Sequence, residues 1–292
     1  MDIQLKNINY KYNEGTPVEY QALHDITCNF PKGSFTAIVG HTGSGKSTLT
    51  KLLNGLLIPS SGNLRIGKRT ITPHTSERDL KLLRKKIGTV MQFPEMQLFG
   101  QTVAEDIVFG PMNYGSSYND ALEIAAEKLN TVGLDSSYLE QSPFDLSGGQ
   151  QRRVAIAGVL ALEPEVLILD EPTIGLDPHG QQTILTLFKE MNQTLDTTII
   201  LITHQMEDVV KYADNVLVLN EGKILTQGTP QEVFEQDHLL QKAGLDVPVI
   251  VSLAREMEAK YNFKFTSLPL SIEALTEQMA HYLLEVADEQ NN

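Results

Sequence analysis

Apolar residues along the chain predict two kinds of strand. Within residues 1–35 apolar and polar positions alternate in short runs, which predicts antiparallel strands with one buried face. Val166–Leu169 and Thr198–Ile202 are instead continuous apolar runs, as expected for parallel strands in a sheet that is covered on both faces. Phe35–Val39 and Ile87–Met91 are predicted to be further short strands.

Helical spacing is found between about residues 102 and 160 and again after about residue 240. Apolar residues recur three and four positions apart in Asp120–Val132 and in Gln150–Leu162, which predicts two amphipathic helices. Val251–Tyr261 and Ile272–Val286 are predicted to be helices in the C-terminal part of the chain.

A hairpin and a capped helix are predicted between these regions. Val216–Leu219 and Lys223–Thr226 flank Asn220-Glu221-Gly222, whose composition is typical of a hairpin turn. Thr229-Pro230-Gln231-Glu232 then supplies a capping residue, a proline at the first helical position and a glutamate that reaches back. A helix is therefore predicted to begin there.

The composition excludes several classes of protein. At 292 residues, 41% of them hydrophobic, the chain can hold one large soluble domain or two modest ones. We expect a cytoplasmic location, because no stretch approaches the roughly 20 apolar residues of a membrane span and residues 1–6 lack a signal layout. Cys28 is the only cysteine, which excludes internal disulfides and a cysteine metal cluster.

The formal net charge of −14 argues against nucleic acid as a partner. An acidic surface is repelled by nucleic acid and by anionic lipid. The charge is open to two interpretations, since it can serve solubility or match a basic partner surface.

Residues 40–47 read Gly-His-Thr-Gly-Ser-Gly-Lys-Ser, which fits the phosphate-binding P-loop pattern. A predicted strand precedes this run and a predicted helix, Ser47–Leu57, follows it. The glycines let the backbone turn its N–H groups toward phosphate, and the helix N-terminus adds a favourable dipole. We expect Lys46 to bind the β- and γ-phosphates, Ser47 to be a Mg²⁺ ligand and Thr48 to lie on the α-phosphate side. The predicted ATP-binding residues of this loop are Gly40, His41, Thr42, Gly43, Ser44, Gly45, Lys46, Ser47 and Thr48.

Two further motifs follow the P-loop. Residues 146–150 read Leu-Ser-Gly-Gly-Gln, and the apolar run Val166–Leu169 ends in Asp170 and Glu171. In this order the three motifs resemble those of ATP-binding cassette ATPases over about residues 1–235. The resemblance implies an α/β fold with a P-loop (RecA-like) parallel sheet core, an antiparallel β subdomain, a helical signature-motif subdomain and a helical C-terminal extension.

The resemblance also implies roles for four polar residues near predicted strand ends. Asp170 would hold Mg²⁺ directly or through water, and Glu171 would be the general base for the attacking water. Gln92 matches the glutamine that senses Mg²⁺ and water, and His204 matches the switch histidine that contacts the γ-phosphate. The predicted catalytic residues are therefore Glu171, His204 and Gln92, and the predicted Mg²⁺ ligands are Ser47, Gln92 and Asp170.

Other motif positions are implied to contact adenine or a second subunit. Tyr12 resembles the aromatic residue that stacks on adenine, and Tyr10 is the competing candidate. Asp177 matches the D-loop, which crosses the subunit interface. The signature motif, which would contact the ATP of a partner ATPase, consists of Ser147, Gly148, Gly149 and Gln150. Two subunits would then enclose two ATP molecules head to tail, and loss of the γ-phosphate would reopen them.

The residues after Gln92 make the resemblance more specific. Residues 93–99 read Phe-Pro-Glu-Met-Gln-Leu-Phe, and residues 15–17 add Gly-Thr-Pro. With the long C-terminal part, they resemble the ATPases of energy-coupling factor (ECF) transporters, and the second of the two ATPases more than the first. This implies ATP and Mg²⁺ as cofactors and uptake of vitamins or transition-metal ions at the cytoplasmic face of the cell membrane. The implied partners are a second, homologous ATPase, a transmembrane T component and an exchangeable substrate-binding S component.

Three acids, Glu95, Glu105 and Asp106, lie where a cassette of this family meets its membrane partner. One hypothesis is that they receive arginines from the coupling helices of the T component. The other is that they are ordinary solvated or helix-starting acids. Both remain open on the sequence.

Residues 1–240 are predicted to form the cassette domain, with a helical subdomain at about 95–160 inserted in the core. Residues 241–292 are predicted to form an extension that pairs the two ATPases. The alternatives are a conventional importer ATPase for metal ions or amino acids, a soluble cassette acting on ribosomes or DNA, and a degenerate, binding-only cassette. Residues 93–99 argue against the first, the single cassette and acidic surface against the second, and the complete set of catalytic positions against the third.

Overall fold

The computed structural model describes residues 1–290, without the side chains of residue 77 and residues 285–290. The strands are β1 (Ile3–Tyr12), β2 (Tyr20–Phe30), β3 (Phe35–Val39), β4 (Ser61–Ile66), β5 (Arg69–Ile71), β6 (Ile87–Val90), β7 (Val166–Asp170), β8 (Thr198–Ile202), β9 (Asn215–Asn220) and β10 (Lys223–Gly228). The helices are α1 (Lys46–Leu53), α2 (Glu77–Lys86), α3 (Val103–Asn113), α4 (Tyr118–Thr131), α5 (Gly148–Leu160), α6 (Pro178–Leu195), α7 (Met206–Tyr212), α8 (Pro230–Phe234), α9 (Asp237–Lys242), α10 (Val249–Tyr261) and α11 (Ile272–Gln290).

The strands form two sheets. The larger has the order β10-β9-β3-β8-β7-β6, in which only β10 is antiparallel to its neighbour. The smaller is antiparallel, in the order β2-β1-β4-β5. The antiparallel strands predicted within residues 1–35 are therefore confirmed, and so are the hairpin of β9 with β10 and the predicted α/β class.

Both faces of the larger sheet are buried, and alternate residues of its central strands contact different layers. Ile168 and Ile200 pack in a cluster with the small sheet and α1. Leu167, Leu169 and Leu201 pack on the other face, against α3, α4, α5 and α6. All five side chains are at most 1% exposed. Because a side chain on either face must be apolar, these strands are continuous apolar runs, which is the pattern that predicted them.

The first helix is shorter than the pattern predicted. Helix α1 ends at Leu53, whereas the predicted helix continued to Leu57. The N–H groups of Leu56 and Leu57 turn back to the carbonyl of Lys51, and Gly55 just before them has a φ of +71°. A glycine in the left-handed conformation ends a helix at little cost, so this glycine decides the boundary.

Two further helices, α2 and α6, contribute to the core. Helix α2 is mostly charged, and of its described side chains Leu80 and Leu83 supply the buried surface. Helix α6 begins with Asp177 as its cap and Pro178 at its first position. Neither helix was predicted from the hydrophobic pattern.

The chain after residue 240 packs directly on the core through α9 and α10. Leu240 and Val251 share a hydrophobic cluster with Val209 of α7. The N–H of Val249 donates to the carboxylate of Glu207 on α7, at 3.2 Å. The domain boundary predicted near residue 240 falls within this shared cluster.

None of the helices in residues 1–290 has both the length and the apolar character needed to cross a membrane.

Candidate nucleotide site

The residues predicted for catalysis lie at the ends of four adjacent strands. The P-loop follows β3, His204 follows β8, Asp170 and Glu171 lie at the end of β7, and Gln92 follows β6. Because these strands are parallel, their carboxyl ends meet at one edge of the sheet, where ligands of open α/β sheets bind. The structure therefore brings the predicted catalytic positions together.

Gly45 sets the direction in which the P-loop enters α1. Its φ is +107°, and a Cβ atom there would lie 2.9 Å from Cδ2 of Leu23 and 3.2 Å from the carbonyl oxygen of Ala22. Gly45 is also the N-cap of α1, without a capping side chain among the described residues. The first N–H groups of α1 therefore start from an uncapped helix end, which is the arrangement that binds phosphate.

The turn between β9 and β10 is hydrogen-bonded to the P-loop. The N–H of Gly222 donates to the carbonyl of Ser44 at 2.9 Å, and Nε2 of His41 lies 2.9 Å from Oδ1 of Asn220. The carbonyl of Gly222 also accepts the N–H of His24 in β2, at 2.8 Å. The turn is therefore bonded to the P-loop on one side and to β2 of the smaller sheet on the other. The sequence pattern identified this turn only as a hairpin.

The ammonium group of Lys46 lies within the P-loop. Its Nζ donates to the carbonyl oxygens of Gly40, at 2.5 Å, and His41, at 3.0 Å. Burial lowers the pKa of Lys46, and the nearby carboxylates of Glu171 and Asp170 oppose that shift. The buried ammonium group attracts negative charge, and the two carboxylates beside it attract a cation. The site therefore favours a ligand that carries both.

Ser44 supplies a buried hydroxyl inside the same loop. The side chain is 1% exposed, and its Oγ has no hydrogen-bond partner among the described residues. A Cβ atom on Gly40 would lie 2.5 Å from this oxygen, so only glycine fits at that position. An unpaired buried hydroxyl costs about 1–3 kcal/mol, and a phosphate oxygen bound in the loop would remove that cost.

Glu171 and His204 are in direct contact across the ends of β7 and β8. Oε2 of Glu171 lies 2.6 Å from Nδ1 of His204. Glu171 has a φ of +51°, and its N–H donates to the carbonyl of Ile202 at 3.0 Å. A positive φ at a non-glycine residue is strained and occurs often at functional sites. The His204 side chain is 59% exposed, so water can reach the pair.

Asp170 is the last residue of β7 and pairs with Ile202 of β8 in the parallel ladder. Burial raises the pKa of Asp170, and the adjacent charge of Glu171 raises it further, whereas Lys46 lowers it. A cation bound at this carboxylate would favour the ionised form. The environment of Asp170 therefore suits a metal ligand better than an isolated anion.

Ser47, Asp170 and Gln92 provide donors of the kind that Mg²⁺ prefers. They offer a hydroxyl, a carboxylate and an amide oxygen, and Ser47 and Gln92 are exposed at the site. Mg²⁺ is usually bound by one or two carboxylates together with substrate phosphates. These residues fit such a shared site.

Tyr12 lies beside the helix that follows the P-loop. Its hydroxyl is 3.2 Å from Oγ1 of Thr48, and its ring meets the ring of Tyr10 edge-on, with centroids 4.8 Å apart. Tyr10 packs against the cluster that contains the small sheet and α1. Of the two candidates for the adenine contact, Tyr12 is the one bonded to the P-loop helix.

The Leu-Ser-Gly-Gly-Gln run forms the N-terminus of α5. The Ser147 hydroxyl accepts the N–H of Gln150, and the Gln150 side chain accepts the N–H of Ser147 at 2.9 Å. This capping box starts the helix at Gly148, two residues before the predicted start. Ser147, Gly148 and Gly149 are exposed, so the helix start is accessible to a ligand.

Asp177 lies between the β7 carboxylates and α6. Its Oδ1 accepts the N–H of Gly180 at 2.6 Å, which caps the helix. The residue is exposed. The cap gives Asp177 a local structural role and leaves its predicted contact with a second subunit a prediction.

Glu95 is already paired within the chain, so its hypothesised contact with an arginine of the membrane partner stays a prediction. Both carboxylate oxygens of Glu95 already bind the guanidinium of Arg152, with Nε at 2.9 Å and Nη2 at 2.7 Å. Arg152 comes from the same chain, in the second turn of α5. A partner arginine would have to displace this ion pair.

Glu105 and Asp106 are helix-starting acids at the N-terminus of α3. Glu105 accepts the N–H of Gln101 at 2.7 Å, and Oδ1 of Asp106 accepts the N–H groups of Phe99 and Gly100. These contacts match the interpretation as helix-starting acids, and a contact of either residue with the T component stays a prediction. Asp106 differs in one respect, because its Oδ2 is buried without a partner among the described residues.

Arg152 is the candidate functional residue that sequence reasoning missed. It lies in Gln-Gln-Arg-Arg, which is typical of a solvated helix face, yet it is 3% exposed. The spacing along the helix could have identified it. Arg152, Ile156 and Leu160 are four residues apart and so lie on one face of α5, and Ile156 and Leu160 are both buried. The arginine therefore lies on the buried stripe of α5.

The sequence is similar to those of known ATP-binding proteins. The sequence model of the ABC transporter family matches residues 23–174, just over half of the chain. "Energy-coupling factor transporter ATP-binding protein EcfA2" of Enterococcus faecalis is 50% identical over 288 residues, which cover 99% of each chain. The protein of that name from Lactiplantibacillus plantarum is 51% identical over 283 residues, covering 97% of this chain and 96% of its own.

Solved structures show the same fold. The cbiO1 protein of Clostridium perfringens, described as part of the ABC transporter complex cbiONQ, has a TM-score of 0.72 and 40% identity, covering 87% of this chain and 98% of its own. The ATP-binding cassette MJ0796, described as a dimer bound to ADP and Pi, has a TM-score of 0.69 and 29% identity, covering 78% and 98%.

The fold and the site define a P-loop ATPase with a signature helix, which is an ATP-binding cassette. The chain belongs to the ABC transporter family, and within that family to the ATP-binding proteins of energy-coupling factor transporters. It binds ATP and couples ATP hydrolysis to transport. The family predicted from the three motifs is confirmed.

Proposed function

We propose that this chain is one of two homologous ATPases that power uptake by an ECF transporter at the cytoplasmic face of the cell membrane. The observation that carries the proposal is the position of the nucleotide site. Lys46, Asp170, Glu171 and His204 meet at the ends of three adjacent strands. The next strand, β6, borders an exposed apolar groove in which a membrane partner can bind.

Glu171 is the proposed general base. It accepts a proton from the water that attacks the γ-phosphate, and its 2.6 Å contact with His204 orients the carboxylate. His204 then contacts the γ-phosphate and links the state of the nucleotide to α7. Mg²⁺, held by Ser47, Asp170 and Gln92 together with the phosphates, would neutralise charge on the phosphate oxygens.

The P-loop and the signature motif of one chain are proposed to bind different ATP molecules. The P-loop follows β3, whereas α5 packs against β6, and two strands separate β3 from β6. Ser147, Gly148 and Gly149 are exposed at the N-terminus of α5, so a second ATPase can reach them. A second ATPase bound head to tail would meet Ser147–Gln150 and Asp177 of this chain with its own ATP.

The groove beside β6 is the proposed docking site for the transmembrane T component. It has a volume of about 380 Å³ and lies between β6, α3 and α5. Leu56, Met91, Phe99 and Phe109 line it, and each is at least 36% exposed. Asp106 also lines the groove, and its unpaired buried oxygen suits a cationic side chain from a helix of the T component.

Helices α10 and α11 are proposed to pair with the second ATPase. They carry large apolar side chains on the surface, which is unusual for a monomer and typical of an interface. The exposed residues are Val249, Leu253, Ile272, Leu283 and Leu284. Residues 241–292 would then act as the dimerisation extension.

An exchangeable S component is proposed to bind the cargo, a vitamin or a transition-metal ion. The ATPase would deliver the energy of ATP binding and hydrolysis through the T component. Substrate choice would therefore belong to the S component rather than to this chain.

Tagged chain purified from detergent-solubilised native membranes tests the proposal, with the bound proteins identified by mass spectrometry. We expect a second, non-identical cassette, one common membrane protein and several small hydrophobic proteins. Recovery with a single dedicated permease would instead identify a conventional importer. Recovery without any membrane protein would overturn the proposal that the chain binds membrane partners.

A further inference from the structure

We propose that Arg152 is a positioning residue that links the docking segment, residues 93–99, to the two motifs that this chain presents to the second ATPase. The inference rests on the proposed function, because both motifs act across a subunit interface. It adds a link inside this chain between the membrane side and the partner's ATP.

The guanidinium group of Arg152 contacts two other segments of the chain. Nε and Nη2 bind the two carboxylate oxygens of Glu95, at 2.9 and 2.7 Å. Nη1 donates to the carbonyl oxygens of Ile174, at 2.9 Å, and Pro172, at 3.4 Å. One side chain therefore joins α5, the 3₁₀ turn Pro94–Gln97 and the segment after Glu171.

The ion pair is shielded from water. Arg152 is 3% exposed and the Glu95 side chain is 18% exposed. Burial acts to raise the pKa of Glu95, but the hydrogen bonds and charge of Arg152 outweigh it, so the pKa is lowered and the carboxylate is ionised. A two-pronged arginine–carboxylate pair fixes orientation as well as distance, which a lysine cannot reproduce.

Each segment bound by Arg152 leads to a proposed interface. Arg152 lies two residues after Gln150, the last residue of the signature motif. Residues 172–174 end three residues before Asp177. Residues 97–99 line the docking groove. A displacement of the groove segment is therefore transmitted to the signature helix and to the D-loop through one side chain.

The contacts also determine which ATP site depends on Arg152. Its partners are Glu95, Pro172 and Ile174, all outside the P-loop. Pro172 follows Glu171, but Glu171 is itself held by His204 and by the carbonyl of Ile202, neither of which is a described partner of Arg152. Arg152 should therefore affect the site that pairs this chain's signature motif with the P-loop of the second ATPase. The site at Lys46 should depend on it much less.

Hydrogen exchange of the purified full-length chain tests the link directly. In Arg152→Gln we expect exchange about tenfold faster in residues 93–98 and in residues 172–177. In Glu95→Gln we expect the increase in residues 93–98 only, because the carbonyl contacts remain. Arg153→Gln is the matched control, since Arg153 instead donates to the carbonyl of Val132 at 3.0 Å. Unchanged exchange of both segments in Arg152→Gln would overturn the proposal.

Turnover by the assembled complex tests the consequence. Glu171→Gln in this chain leaves only the site that uses its signature motif, and there Arg152→Gln should lower kcat about tenfold or more. The ATP concentration for half-maximal rate should change less than about twofold. With the general base of the second ATPase removed instead, Arg152→Gln should change kcat less than about twofold.

Arg152→Lys is a second variant, included in case Arg152→Gln does not fold. It keeps the charge but not the two-pronged geometry. It should give an intermediate loss of kcat with a melting temperature close to that of the wild type. Equal losses at both ATP sites would indicate a general structural role and overturn the proposal. Failure of the wild-type chain to assemble would count against the proposed function, and hydrogen exchange of the isolated chain would still decide on the link.

Discussion

Glu207 and Asp208 are consecutive carboxylates of α7 that lie in different environments. Glu207 is exposed and accepts the N–H of Val249, whereas Asp208 is half-buried. Burial and the charge of Glu207 raise the pKa of Asp208 to about 6, against the opposing charges of Lys211 and His204. The ionised form of Asp208 is therefore disfavoured in the folded chain, although it predominates at neutral pH.

Asp208→Asn should stabilise the protein at neutral pH. Because the folded-state pKa is raised above the ordinary 3.8, the protonated carboxyl stabilises the fold below about pH 4, and this contribution is lost as the pH rises through about 6. The substitution should therefore raise the free energy of unfolding by about 1–2 kcal/mol at about pH 7.5, a value reduced for partial exposure. Urea unfolding at about pH 4.5 and pH 7.5 measures the difference.

Glu190→Gln is the matched control for that substitution, because Glu190 is an exposed carboxylate on α6. It should change the free energy of unfolding by less than about 0.5 kcal/mol at either pH. An Asp208→Asn protein with no gain at the higher pH would contradict the raised pKa.

Glu171→Gln should separate ATP binding from hydrolysis. The amide keeps the shape of the side chain but cannot accept a proton, so kcat should fall by about 10³-fold while the Kd for ATP changes little. Lys46→Ala should instead weaken nucleotide binding as its first effect. Equilibrium binding and single-turnover hydrolysis distinguish the two. Robust hydrolysis by Glu171→Gln, with the second ATPase also inactivated, would overturn the general-base assignment.

Tyr12→Ala should weaken ATP binding by about tenfold, because a base stacked on an aromatic ring gains about 1–3 kcal/mol. Tyr12→Phe keeps the ring and removes only the hydroxyl contact with Thr48, so its loss should be small. Tyr10→Phe is the control at the neighbouring position. A titration with a fluorescent ATP analogue measures all three, and equal losses for Tyr12→Ala and Tyr12→Phe would rule out stacking as the cause.

Asp106→Asn should weaken assembly with the T component without changing nucleotide affinity. The change removes the charge of a groove-lining carboxylate whose Oδ2 is buried and unpaired among the described residues. Glu105→Gln is the control, since Glu105 is exposed beside it and does not contribute to the groove lining. Co-purification of the T component after co-expression measures the effect. If the T component co-purifies equally well with Asp106→Asn and with Glu105→Gln, the proposed role of Asp106 is wrong.

Elements whose conformation depends on near neighbours were predicted well. The buried strands β7 and β8 follow from their continuous apolar runs, and the hairpin of β9 with β10 follows from its turn residues. Helix α2 was missed because its charged sequence hides two buried leucines. Helix α1 was predicted too long, because a left-handed glycine ends it within a region that still has apolar residues.

The sequence by itself determined the family, the order of the motifs and the residue types at the nucleotide site, because each of these is local in the chain. Only the tertiary structure decided how distant polar groups are paired. Arg152 and Glu95 are 57 residues apart, and His41 and Asn220 are 179 apart. Burial of a charge depends on which surfaces pack together, and local periodicity does not encode the partner that such a charge will meet.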